Sequence, residues 1–264
     1  MSSGSDTAEL PRLPARRLLV FRRSRRGFWP RWLLRLAAVV VGIALLAGGG
    51  LLVLIGASPS AANAPQRVQA ILAAHHAPSD DGVLPARVAA ALLATEDSRY
   101  YQDPALDPRG VARAALGAVT NNGNDGGATI EQQLAKMLYA PGTSLGSELQ
   151  QVGVAFRLDQ HFSKPRILAL YLDAAYFGDG AYGVTAAASH YFGLAPSQLS
   201  WAQASLLAGL VQAPSEFDPH GHFSSARQRQ SHVLARLVAT HQLTSSQAAQ
   251  VWSAPLNPVV SFFG

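Results

Sequence analysis

The sequence contains no cysteine. Disulfide staples, thiolate metal centres and cysteine nucleophiles are thereby excluded together. Lysine is nearly absent, occurring only at Lys136 and Lys164. Charged residues make up 14% of the chain against 48% hydrophobic, which excludes a disordered or fibrous polymer. Strand-like alternation of apolar and polar residues is almost missing, and no internal repeat is visible. With 264 residues the chain exceeds one small domain and falls short of two large ones.

What charge there is lies unevenly. Residues 1–35 carry nine arginines against Asp6 and Glu9, whereas the remaining residues carry 12 basic and 14 acidic side chains. The basic pI therefore belongs to a tail and not to the body. Nucleic acid is not the expected partner, because the basic cluster abuts an apolar run rather than a folded surface.

That run is Leu36 to Ile55, 20 residues without a charge. An apolar helix of ~20 residues spans a bilayer core of ~30 Å. Arg22, Arg23, Arg25, Arg26, Arg31 and Arg35 precede it, and Trp29 and Trp32 mark the junction. The positive-inside rule then puts the N-terminus in the cytoplasm and the body outside it. Small residues at 57–62 keep cleavage as a signal peptide open, although the apolar run is longer than the ~7–15 residues of a signal core. The expectation is a basic cytoplasmic tail at 1–35, a transmembrane helix at 36–57, a linker at 58–65, a single mainly α body at 66–254 and a tail at 255–264.

Within the body, apolar spacing of three and four predicts helices from Val68, over Val83–Glu96, from Thr129, over 147–161, from Pro165, over Trp201–Val211, and near 224–240 and 244–253. Pro108 behind Asp107 predicts a further helix to about Val119. Residues 121–127 read as a loop, and Asp179-Gly180 with Gly183 as a tight aromatic-rich turn. The histidines show no metal-ligand spacing.

Some residues point to chemistry. Glu96 ends an apolar helix, with Asp97 beside it. Thr129, Gln133 and Lys136 fall at i, i+4 and i+7, so one helix face carries two polar side chains and a cation. The Gly126-Gly127 turn ahead of them could present backbone N–H groups to an anion.

Four segments occur in order: Glu96-Asp97-Ser98-Arg99-Tyr100, Gly126-Gly127-Ala128-Thr129-Ile130-Glu131-Gln132-Gln133-Leu134-Ala135-Lys136, Arg166-Ile167-Leu168-Ala169-Leu170-Tyr171-Leu172-Asp173, and Leu207-Ala208-Gly209-Leu210-Val211-Gln212-Ala213-Pro214. Together they resemble the peptidoglycan glycosyltransferases, the transglycosylase domains of class A penicillin-binding proteins and their monofunctional relatives. The resemblance implies a mainly α, lysozyme-like glycosyltransferase domain on a single N-terminal transmembrane helix. It also implies a bacterial cell membrane location and a lipid-linked peptidoglycan precursor as substrate. Other cell-wall synthases are candidate partners. No Ser-x-x-Lys or Lys-Thr-Gly occurs, so the resemblance does not extend to a transpeptidase.

By the same resemblance Glu96 is the general base. Asp97, Thr129, Gln132, Gln133, Lys136, Gln151 and Arg157 are the substrate-binding set, with no metal ligand among them. The family leaves room for a divalent cation. The third family motif departs most seriously. Ser147 and Glu148 stand where the family carries Arg-Lys, and Gln151 where it carries a second Glu. A neutral Gln cannot supply the charge that holds a cation. Tyr100, Asp103 and Ala105 replace Phe, His and Gly. Ala128 and Glu131 replace Ser and Thr, while Ala169 and Asp173 replace Glu and Asn. Of a late Arg-Arg pair only Arg229 remains. Two rival readings follow: a catalytically weak relative that binds precursor or scaffolds other synthases, and a membrane-anchored glycan hydrolase using Glu96 as acid.

Overall fold

The computed structural model describes residues 31–78, 84–104 and 128–259. Two compact units divide the chain, Met1–Ala47 and Gly48–Gly264. The first helix, α1 (Arg31–Ala57), begins in the former and ends in the latter. Its Trp32–Ala57 stretch is long and apolar enough to cross a membrane. Leu45, Leu46, Leu52 and Val53 are each more than 70% exposed, so the described residues leave this apolar surface uncovered.

The second unit is helical throughout its described part, and Tyr176 and Tyr182 form its single antiparallel bridge there. The remaining helices are α2 (Ala64–Ala74), α3 (Ala86–Glu96), α4 (Ile130–Leu138), α5 (Leu145–His161), α6 (Lys164–Ala174), α7 (Val184–Phe192), α8 (Trp201–Leu210), α9 (Pro219–Ala239) and α10 (Ser245–Ser253). The mainly α expectation holds. The helix and loop expected over 108–127 lie outside the described residues.

Helix starts follow from local chemistry. Thr129 accepts from the Gln132 N–H while the Gln132 side chain accepts from the Thr129 N–H. Ser200 with Gln203 and Thr244 with Gln247 repeat this reciprocal cap on α8 and α10. Asp218 caps α9 ahead of Pro219, and a non-helical residue, His222 (φ −137°), interrupts its first turns. That break is why regular apolar spacing begins only after it. Helix α7 is not announced by spacing at all. It starts at Gly183, whose φ of +82° suits glycine, and an added Cβ would sit 3.0 Å from both the Asp173 carbonyl oxygen and a Leu72 methyl.

Two packed groups make the core. Helices α3, α8 and α9 lie against one another, and α4 packs on α5 and α6, with α2 covering α6. Tyr100, Tyr171, Tyr191 and Phe177 are the largest fully buried side chains. Residues 58–65, a linker by composition, are held down: Ser58 is 8% exposed and Ala61 and Ala64 are fully buried.

Candidate functional site

Helix α3 stops at Glu96 because Asp97 leaves helical geometry (φ −153°, ψ 76°). The Glu96 carboxylate is thereby delivered to the meeting point of three other helices. Its Oε1 accepts from Arg229 Nη2 of α9 at 3.1 Å. Its Oε2 accepts from Gln133 Nε2 of α4 at 3.4 Å. The amide of Gln133 is oriented by α6, since the Tyr171 hydroxyl donates to Gln133 Oε1 at 2.8 Å. Burial, reinforced by the Glu96 charge, pushes the Tyr171 phenol well above its ordinary range, so it remains a donor. Tyr171→Phe leaves Gln133 Oε1 without this donor. It is expected to cost about 1–3 kcal/mol in a urea unfolding titration.

A second polar layer lies behind. Glu131, 1% exposed, receives Lys164 Nζ at 2.6 Å on Oε1, while its Oε2 has no partner among the described residues. Lys164 also reaches Asp159 at 3.2 Å and lies 4.8 Å from the Tyr100 ring centroid. Burial first, then the Glu131 charge, raises Asp97 from 3.8 to about 6. The folded chain thus holds this proton more tightly than the unfolded one. The resulting stability is fully present below pH 3.8 and is lost as pH rises through about 6. Asp97→Asn should flatten this fall and stabilise the protein above pH 6, which thermal unfolding on either side of that window would reveal.

The other expected site residues are placed as follows. Lys136 is exposed on α4. Thr129 and Gln132 are engaged in their mutual cap. Gln151 gives its amide N–H groups to the carbonyls of Ala140 and Gly142, both at 3.0 Å. Arg157 donates to the carbonyl oxygens of Ile55 at 2.6 and 2.9 Å and Gly56 at 3.3 Å. Glu96 and Gln133 meet, whereas Gln151 and Arg157 are bonded to backbone carbonyls. Arg229 and Tyr171 join Glu96 and Gln133 without having been in the expected set. The residual late arginine was the available signal for Arg229.

A family model described as transglycosylase matches residues 66–238. The chain belongs to the transglycosylase family. Among the relatives of this transglycosylase chain is a candidate transglycosylase of Cupriavidus necator, 32% identical over 84% of this chain and 94% of its own length. Penicillin-binding protein 1A of Escherichia coli is 38% identical over 66% of this chain, which spans 21% of that protein. Against a crystal structure of penicillin-binding protein 1A from Haemophilus influenzae the identity is 21% and the TM-score 0.41, covering 70% of this chain and 18% of that one.

The transglycosylase's own residues at 147, 148 and 151 do not suit a divalent cation. Gln151 is neutral with its amide engaged, Ser147 pairs with Ser144 at 2.9 Å, and Glu148 stands exposed. No step is therefore routed through a metal there.

Proposed function

We propose that the chain is a peptidoglycan glycosyltransferase that joins lipid-linked disaccharide–peptide units into glycan strands at the outer face of a bacterial membrane. Helix α1 serves as its single-pass anchor, with the N-terminus cytoplasmic and residues 66–254 as the working domain. The observation that carries this reading is the convergence of Glu96, Gln133 and Arg229 from three helices inside the transglycosylase match.

In the reaction a sugar 4-hydroxyl attacks an anomeric carbon, one C–O bond forms and the bond to the lipid diphosphate breaks. A single displacement inverts the anomeric configuration. Glu96 takes the hydroxyl proton as general base. Arg229 and Lys136 supply positive charge for the departing diphosphate, and Gln133 fixes the carboxylate. Asp97 and Thr129 with Gln132 shape the walls of this site. The test is polymerisation of labelled lipid-linked precursor by the full-length protein in detergent. Glycan chains are the expected product.

A second reading has a specific observation behind it. Gln151 is neutral and its amide is tied to two loop carbonyls, so this position offers no charge to a diphosphate or its cation. A catalytically weak relative would keep the cleft and act by binding precursor or scaffolding other synthases. Precursor bound by a folded chain, with no glycan produced, would favour it over polymerisation.

A further inference from the structure

Glu96 and Gln133 stand on different packed groups. Helix α3, which ends at Glu96, lies against α8 and α9, whereas α4, which carries Gln133, lies against α5 and α6. The hydrogen bond that joins the two side chains is 3.4 Å long. That is the outer reach of an N–H···O bond, so it has little strength with which to hold two groups of helices in register. A small shear at the seam is enough to break it. The spacing must be set by other contacts.

Tyr100 crosses the seam beside Glu96. It follows Glu96 by four residues, in a turn closed by the Tyr100 N–H donating to the Asp97 carbonyl at 3.1 Å. Its side chain is buried, and its hydroxyl donates to the carbonyl of Lys164, the first residue of α6, at 2.8 Å. Burial pushes this phenol well above its ordinary range, so it keeps its proton and remains a donor. The Lys164 side chain then reaches across the same junction. Its Nζ lies 4.8 Å from the Tyr100 ring centroid and 2.6 Å from Glu131 Oε1. Glu131 is two residues before Gln133 on α4.

These contacts close a circuit. From Glu96 it runs to Gln133, to Tyr171 on α6, back along that helix to Lys164, and through Tyr100 to Glu96 again. Glu131 braces the circuit as a chord between Lys164 and α4. The chemistry of the chord favours geometry over stability as its purpose. A buried ion pair repays its desolvation poorly, and Glu131 Oε2 has no partner among the described residues. A buried polar network does, however, permit few arrangements other than its own. Tyr100 and Glu131 both depart from the family pattern, which carries Phe and Thr there. The two departures are 31 residues apart in the chain and meet at one lysine.

We propose that the Tyr100 hydroxyl and the Glu131 carboxylate, acting together through Lys164, are positioning groups that hold Glu96 against Gln133. Neither touches the reacting atoms. The inference rests on the glycosyltransferase reading for the reaction it serves, whereas the spacing it fixes is measurable without turnover.

Tyr100→Phe removes only the oxygen. In the full-length protein in detergent it should lower the kcat of polymerisation about five- to tenfold, the scale of one hydrogen bond, with KM near that of the parent. Glu131→Gln keeps the shape of the carboxylate and should act in the same direction. The two combined should cost little more than the worse of them, because both work through Lys164. The Gln133 side-chain amide signal in NMR, assigned by its loss in Gln133→Ala, should move in both variants. A merely structural role would lower the melting temperature and leave kcat per folded molecule and the amide signal unchanged. If Tyr100→Phe does not fold, Glu131→Gln carries the same readouts. A moved amide signal with no polymerisation by the parent would keep the brace and remove the glycosyltransferase reading. Polymerisation with unchanged kcat and an unmoved amide signal in both variants would overturn the brace and leave that reading standing. A raised KM at unchanged kcat, or losses that simply add, would also overturn it.

Discussion

Glu96→Gln is expected to lower glycan polymerisation by about 10²–10⁴-fold, the usual contribution of a positioned acid or base. The amide has the shape of the carboxylate but cannot accept the acceptor hydroxyl's proton. Gln133 can still donate to it, so the helix ends that meet at residue 96 keep their arrangement. Arg229 loses a charged partner while only 13% exposed, which makes a modest loss of stability part of the expectation. Precursor binding, measured separately, should change far less than turnover. A fall of less than tenfold with intact folding would remove Glu96 from the role of base. Arg229→Ala provides the contrasting case, since it weakens both turnover and the stability of the α3–α9 contact that Glu96 and Arg229 share.

The largest effect on stability is expected at Lys164. Glu131 is 1% exposed, and Lys164 supplies the ion pair to it, at 2.6 Å. Removing one member of a buried pair strands the other charge and typically costs about 3–5 kcal/mol. Lys164→Ala should therefore lower the denaturation midpoint sharply, measured by urea unfolding with circular dichroism. The double variant Glu131→Thr with Lys164→Met should recover most of that loss, because neither charge remains to be desolvated. If the double variant were as unstable as Lys164→Ala, the packing of the lysine stem rather than the ion pair would carry the effect. The pair also bears on Asp97, whose raised value owes part of its rise to Glu131. Lys164 acts on Asp97 in the opposite sense and burial is the larger cause, so the pH dependence between about 4 and 6 should persist in the double variant.

Local features of the fold were readable in the sequence where the chemistry is local. The reciprocal caps of Thr129 with Gln132, Ser200 with Gln203 and Thr244 with Gln247 need only a hydroxyl and an amide three residues apart, and each begins a helix. Glu96 at a helix end and Gln133 on a helix face were each legible as candidates, but their meeting across 37 residues was not. Contacts across long stretches of chain were not readable. Arg229 reaches Glu96 across 133 residues, and no periodicity encodes that approach. Lys164 and Glu131 are 33 residues apart and pair through the packing of α4 near the start of α6. Arg157 and Gln151 show the opposite case. Their residue types suit an anion or an amide-binding ligand, but a guanidinium or carboxamide serves an uncapped backbone carbonyl equally well, and only the three-dimensional neighbours decide. Helix α7 stayed hidden because its start depends on a glycine conformation and on what packs above it, not on a cap or a stripe.

The grip of Arg157 on the last carbonyls of α1 has a mechanical meaning. Those carbonyls are the negative end of the helix, and three hydrogen bonds from one guanidinium close it. Ser58 presses so closely on Gly153 that an added Cβ there would come within 1.9 Å of its hydroxyl oxygen. The chain thus leaves its apolar helix without slack, clamped at two successive points to the same face of α5. Residues 55–58 are thereby fixed to α5 from both sides of the helix end, and inserting even a single residue there would force either the three Arg157 hydrogen bonds or the Ser58–Gly153 contact to give way.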